Sequence, residues 1–182
     1  MASPQTLSEA DRRLLALWAA DCAARVLPLF EAEAGEDGRA RDGIERARAF
    51  GRGERGAAEE IRHRLVAGRA ARSARTPAAV AAARAAGQAS GVAHMGAHAL
   101  GAAAYAAKAA ALAATDEEPR RRDEVRWQLD RMTPEVRVAL AQLPALGEDR
   151  SGPLGPGLLA SGVLATTIRE IQAGVHRHPS AS

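Results

Sequence analysis

The chain has 182 residues, which is enough for one domain with a sizeable hydrophobic core and does not require a second. Hydrophobic residues make up 47% of it but aromatic residues only 3%, so small side chains must build the core, and these favour closely packed helices. Lys108 is the single lysine among 25 basic residues, yet the formal net charge is only +3, so charge gives weak support for a nucleic-acid partner. Cys22 is the single cysteine, which excludes an intrachain disulfide and a cysteine-based metal motif.

Targeting and membrane signals are weak. The first residues, Met1 to Thr6, lack the basic start and apolar core of a signal peptide, so we expect a cytoplasmic protein. The longest apolar run, 92–114, contains two histidines and a lysine away from its ends, so we expect no membrane span and no membrane partner.

Capping residues and helical spacing predict seven helices in chain order. Ser8 with Asp11 caps the first, Asp37 the second, and the Thr-Pro pairs at 76–77 and 133–134 begin the fourth and sixth. The predicted helices cover 8–33 with a kink at Pro28, 39–50, 57–75, 77–114 with a bend near 87–91, 115–131, 133–143 and 158–173.

No alternating run of strand length occurs, so the sequence predicts an all-α fold. We expect a single-domain helical bundle of about six to seven helices around the Ala-rich central helix at 77–114. Residues 1–146 are predicted to form the helical domain. A Pro/Gly loop, a C-terminal helix and a disordered tail at 176–182 follow, with 147–182 packed on the same domain.

The predicted central helix carries its chemical groups on one stripe. At 100° per residue, His94, His98, Tyr105 and Lys108 fall in one sector together with glycines at 87, 91 and 101, whereas the other faces are mostly Ala. We expect this stripe to face a cavity or polar groups of other helices, with Asp21 and Arg25 of the first helix as candidate partners.

Three interpretations of the stripe stay open. The leading one is internal packing, in which hydrogen bonds fix helix register. The second is a small-molecule or catalytic pocket in which His94 or His98 acts as acid or base, Tyr105 or Lys108 donates a hydrogen bond, and Asp21 assists. Metal binding is the weakest, because two histidines supply half of a typical ligand set, so we expect neither metal nor cofactor.

Other features have mainly structural interpretations. Five arginines between Arg62 and Arg75 could contact phosphates, but nearby glutamates favour a solvated, ion-paired face. Cys22 is expected to be a buried apolar residue, and Trp127 to anchor its helix or, if exposed, to contact a partner. The candidate binding residues are Trp18, Asp21, Arg25, His94, His98, Tyr105, Lys108 and Trp127.

Several segments resemble a known family. They are Trp18 to Ala23, Ile44 to Ala49, Ala82 to Gly87, the stretch from His94 through Tyr105-Ala106, Trp127-Gln128 and Leu143-Pro144. Together they are similar to the immunity proteins of bacterial polymorphic-toxin systems, in the immunity-five-like helical group. The resemblance covers about 7–146, and Phe50 stands where many members have tryptophan.

The resemblance implies a small helical bacterial protein that binds and neutralises a cognate toxin, and it carries over no catalytic residues. Such a protein needs only a complementary surface, in agreement with the lack of a complete catalytic motif. The alternative is a small-molecule-binding protein or a biosynthetic enzyme that uses the stripe. Association into a homo-oligomer stays open.

Overall fold

Helices form all the regular secondary structure of residues 3–177, the part of the chain that the computed structural model describes. The helices are α1 (Glu9–Ala34), α2 (Arg39–Gly51), α3 (Ala57–His63), α4 (Val66–Arg69), α5 (Pro77–Gly91), α6 (His98–Leu112), α7 (Glu117–Asp130), α8 (Pro134–Ala141) and α9 (Gly162–Val175), with short 3₁₀ turns at Ala70–Ser73 and Leu158–Ala160. Seven of these helices have eight or more residues. The predicted all-α bundle of six to seven helices is therefore confirmed.

Three predicted caps form as the residue types require. The side-chain oxygens of Ser8, Thr76 and Thr133 each accept a hydrogen bond from the backbone N–H three residues on, and so satisfy one of the free amides at a helix start. The first helix is not interrupted at Pro28, because α1 continues through the proline to Ala34. Val26, Leu27 and Phe30 on either side of the proline are buried, and this packing offsets the lost backbone hydrogen bond.

The largest correction concerns the predicted central helix at 77–114, which is two helices joined by a turn. Residues 92–97 leave the helical path, and α6 folds back against α5 as a hairpin. The turn is held from outside: the N–H groups of Gly96 and Ala97 donate to the carbonyls of Thr6 and Gln5, at 3.1 Å each. Tertiary hydrogen bonds from the N-terminal segment therefore replace the helical ones that a continuous helix would make.

The predicted helix at 57–75 is also broken, into α3, α4 and a 3₁₀ turn. The α4 segment approaches α5 closely: a Cβ on Gly87 of α5 would lie 2.7 Å from the Cα of Gly68 in α4. A Cβ on Gly43 of α2 would similarly lie 2.4 Å from the Cβ of Ala67. The short α4 segment thus fits between α2 and α5 only because glycines face it.

The core lies where α1, α5 and α6 pack together. α6 is buried on almost every side, which fits its alanine-rich composition. α2 covers α1 and α5, α7 covers α6, and α9 packs on α6, α7 and α8. The last helix begins at Gly162 rather than at 158. Of the predicted disordered tail at 176–182, residues 178–182 lie outside the described part of the chain. None of the helices in 3–177 combines the length and apolar character needed to cross a bilayer.

The loop before α9 is tied to the N-terminal segment by one buried side chain, that of Gln5. Its Nε2 donates to Asp149 Oδ2 and to the carbonyl of Ser151, both at 2.7 Å. Its Oε1 accepts from the N–H of Leu154 at 2.9 Å. The Pro/Gly loop therefore has fixed contacts with the N-terminal segment, although its composition alone predicts only a loop.

Candidate functional site

A surface cleft of about 600 Å³ opens between residues 64–72 and the α5–α6 hairpin. This volume is typical of small-molecule sites, which span about 300–1,000 Å³. The polar and charged side chains that line it are Arg64, Arg69, Arg72, Arg84, Gln88, His94, His98 and Tyr105. We call this site the arginine cleft.

His98 is held in one orientation by its neighbours. Its Nδ1 lies 2.9 Å from Gln88 Oε1, and with that oxygen as acceptor Nδ1 carries the proton and Nε2 keeps its lone pair. The ring fits only because Gly91 has no side chain, since a Cβ there would lie 3.0 Å from the imidazole. Burial, and secondarily the positive charges of His94 and Arg64, lower the pKa of His98 to about 4, so the ring is neutral at pH 7.

Gln88 is fixed from its other side by α6. A Cβ on Gly101 would lie 2.3 Å from Gln88 Oε1, so this glycine leaves the space that the amide occupies. The stripe glycines at 87, 91 and 101 thus allow close approaches between helices, a role that their shared spacing did not reveal. Gln88 itself was missed from the sequence, because its importance depends on the hairpin that brings α5 next to α6.

Tyr105 is the most deeply placed polar side chain of the cleft. Only 4% of the residue is exposed, and its hydroxyl makes no hydrogen bond within residues 3–177. Burial raises the pKa of this phenol above its ordinary value, so it stays protonated at neutral pH. The hydroxyl oxygen is not among the fully buried polar atoms, so it opens on the cleft, and in this position it can donate to a molecule there.

The stripe does not lie on a single helix, contrary to the sequence prediction. His94 belongs to the turn before α6, and its ring centroid lies 6.4 Å from that of His98. Lys108 is one turn beyond Tyr105 on α6 but does not line the cleft. The structure therefore brings together His94, His98 and Tyr105 and leaves Lys108 outside the group.

The arginine-rich segment is not the ion-paired face that the sequence predicted. In the described chain, no Asp or Glu oxygen lies within 4.0 Å of the guanidinium groups of Arg64, Arg69, Arg72 or Arg84. The nearby Glu59 and Glu60 instead pair with Arg46 and Arg55 on the α2 side. No acidic residue lines the cleft, so the positive charges of its arginines are not balanced by carboxylates within the cleft.

The predicted partners of the stripe lie on another surface. Asp21 accepts a hydrogen bond from Arg48 at 3.1 Å, and Arg25 donates to the buried Glu124 at 2.9 Å. The expectation that Asp21 and Arg25 satisfy the histidines is therefore wrong. Asp21 thus contacts α2 and Arg25 contacts α7, whereas the cleft is formed by α5, α6 and 64–72.

A second cluster surrounds Trp127 on α7. This indole is partly exposed, with the guanidinium of Arg25 4.3 Å from its ring centre and that of Arg131 at 5.5 Å. Asp21 lies at the edge, 3.9 Å from Arg131. We call Asp21, Arg25, Trp127 and Arg131 the tryptophan cluster, whose tryptophan and arginines are the residue types enriched where proteins bind each other.

Trp18, also a candidate binding residue, is a core residue instead. It is 3% exposed, and its Nε1 donates to the carbonyl of Gln128 at 2.9 Å. Cys22 is fully buried beside it on α1, and burial, with added repulsion from Glu124, raises the pKa of its thiol. Neither residue can reach a partner at the surface in this fold.

Metal ligands are not grouped in this structure. Residues 3–177 contain no cluster of three or more His, Cys, Asp or Glu side chains placed to hold an ion. The groups around the two stripe histidines are arginines, Gln88 and Tyr105.

Fold and site together define an all-α protein with a basic surface cleft and a partly exposed tryptophan cluster. The chain belongs to the family described as "Imm-5 like putative immunity protein", whose model matches residues 5–135. The match runs from the N-terminal segment into the start of α8 and agrees with the resemblance drawn from the sequence. The chain matches no curated protein and no solved structure at a significant level.

Proposed function

We propose that this protein binds a cognate bacterial toxin in the cytoplasm and neutralises it. The observation that carries the proposal is the family match over 131 of the 182 residues. An immunity protein acts through a complementary surface, so it needs no catalytic group of its own.

The tryptophan cluster is the surface we assign to the toxin. Trp127 offers a large, rigid contact area, and its contacts with the guanidinium groups of Arg25 and Arg131 hold the ring in place before a partner arrives. Asp21, whose side chain is about 41% exposed, adds an acceptor at the edge. Such preorganisation lowers the ordering cost of binding.

The test is co-expression with the toxin domain encoded by the neighbouring gene. Cells that carry the toxin are expected to survive with the wild-type chain, and the two proteins are expected to co-purify. The variant Trp127→Ala should weaken capture by at least about 2 kcal/mol, as a truncated hot-spot tryptophan does. Arg126→Gln, an exposed change at the adjacent position of α7, is the matched control.

Death of cells that make soluble wild-type protein, or the absence of a complex with the toxin domain, would overturn this function. Equal capture by wild type and Trp127→Ala would overturn the assignment of the tryptophan cluster alone. A thermal melt of each variant shows that any loss of capture occurs in folded protein.

The second candidate is small-molecule binding in the arginine cleft, and the unpartnered hydroxyl of Tyr105 specifically favours it. Of the five residues considered for acid–base chemistry, His94, His98 and Tyr105 share the cleft, while Asp21 and Lys108 do not line it. We therefore propose binding rather than turnover for this site. A thermal-shift screen of neutral and charged metabolites tests this candidate function. If no compound in the screen raises the melting temperature, the result argues against small-molecule binding.

A further inference from the structure

The arginine cleft concentrates positive charge around one small volume. Arg64, Arg69, Arg72 and Arg84 line it without a carboxylate within 4.0 Å in the described chain. Like charges around one cleft repel one another, and a bound anion relieves that repulsion. Guanidinium groups also match phosphate oxygens with two parallel hydrogen bonds.

We propose that the arginine cleft is a binding site for a soluble, phosphate-bearing small molecule. This inference rests on the second candidate function and names its ligand class. It is independent of toxin binding, which we assign to the tryptophan cluster on a different surface.

The deep end of the cleft supplies neutral polar groups suited to orient such a ligand. The hydroxyl of Tyr105 has no protein partner and can donate to a phosphate oxygen. His98, whose Nδ1 is engaged by Gln88, leaves Nε2 as an acceptor for a hydroxyl of the ligand. Charge at the rim and directional groups at depth are the usual arrangement of a site that binds a small polar molecule.

The dimensions favour a small molecule over a nucleic acid. A cleft of about 600 Å³ can enclose one or two phosphates with an attached group, whereas a nucleic-acid site extends along several phosphates. Base stacking needs exposed aromatic rings, and the single aromatic ring apart from histidine in the cleft, that of Tyr105, is almost fully buried.

The experiment is isothermal titration of inorganic pyrophosphate into the full-length protein at low salt. Wild type is expected to bind at one site. Arg84→Gln, an exposed change on α5, should weaken binding about tenfold or more, because charge-assisted hydrogen bonds are lost. Arg126→Gln removes the same charge at an exposed position of α7 that does not line the cleft, and should bind as wild type does.

Tyr105→Phe separates binding from folding. The lost hydroxyl has no protein partner, so the melting temperature should stay the same or rise while pyrophosphate affinity falls several-fold. A Tyr105→Phe protein that binds pyrophosphate like wild type would remove Tyr105 from the site and overturn the proposed orientation of the ligand.

Three results would overturn the proposal as a whole. In the first, wild type does not bind pyrophosphate at millimolar concentration. In the second, Arg84→Gln and Arg126→Gln weaken pyrophosphate binding equally. In the third, a short DNA duplex binds wild type more tightly than pyrophosphate does, and Arg84→Gln weakens the binding of both ligands equally. A neutral compound that stabilises the protein while pyrophosphate does not would leave the second candidate function standing and reject only the anionic ligand.

Discussion

Trp18→Ala tests the description of the core most directly. The indole of Trp18 is 3% exposed, and its Nε1 donates to the carbonyl of Gln128, which lies in the last turn of α7. Carbonyls in a last turn have no partner within the helix, so Trp18 both fills the core and caps α7. Truncation leaves a cavity and an unsatisfied carbonyl, and should cost about 3–5 kcal/mol.

For a chain of this length, each kcal/mol corresponds to about 2–4 °C in melting temperature, so Trp18→Ala should melt about 6–20 °C below wild type. Trp18→Phe is the matched control: it keeps an aromatic ring in the core but removes the donor, at about 1–3 kcal/mol. Because the chain has two tryptophans, the fluorescence of Trp18→Phe reports unfolding through Trp127 alone. The smallest shift expected for Trp18→Ala is about 6 °C. A Trp18→Ala protein that melts within about 2 °C of wild type would therefore refute the burial of this side chain.

Two further predictions concern the hairpin and its neighbours. Gly87→Ala should destabilise the fold by about 1–3 kcal/mol in denaturant titration, because the added methyl would meet the backbone of Gly68. Gly56→Ala is the control, since a Cβ at that position meets nothing within 4 Å. Equal stability of the two variants would contradict the close approach of Gly87 to Gly68. Because the pKa of His98 is about 4 in the folded protein and about 6.5 when unfolded, the unfolded chain binds more protons between these values, so stability should fall as pH drops from about 6.5 to about 4. His98→Asn should flatten this part of the pH–stability curve relative to His63→Asn, an exposed control, and an unchanged slope would show that His98 is not buried as described.

Local sequence signals predicted the helices well where a cap or a turn acts alone. Ser8, Thr76 and Thr133 begin their helices as predicted, because a hydroxyl that accepts from the third amide needs no tertiary support. The composition likewise predicted an all-α fold and an alanine-rich centre, since these depend on propensity and small side-chain volume. The family resemblance followed from the same helices.

Tertiary contacts decided the site. The glycines at 87–91 predicted only a bend in the helix at 77–114. In the structure, carbonyls of Thr6 and Gln5, which are distant in sequence, accept hydrogen bonds from the break at 92–97. His98 and Tyr105 were placed together with His94 by an assumed helical period, yet what unites them with Gln88 and Arg84 is the antiparallel packing of α5 on α6. Likewise, the glutamates next to the arginine run pair across to α2, because salt bridges follow distance in space and not along the chain. The sequence by itself determined the helical class and where the capped helices begin, whereas the folding of one helix back on another decided which side chains share a cleft.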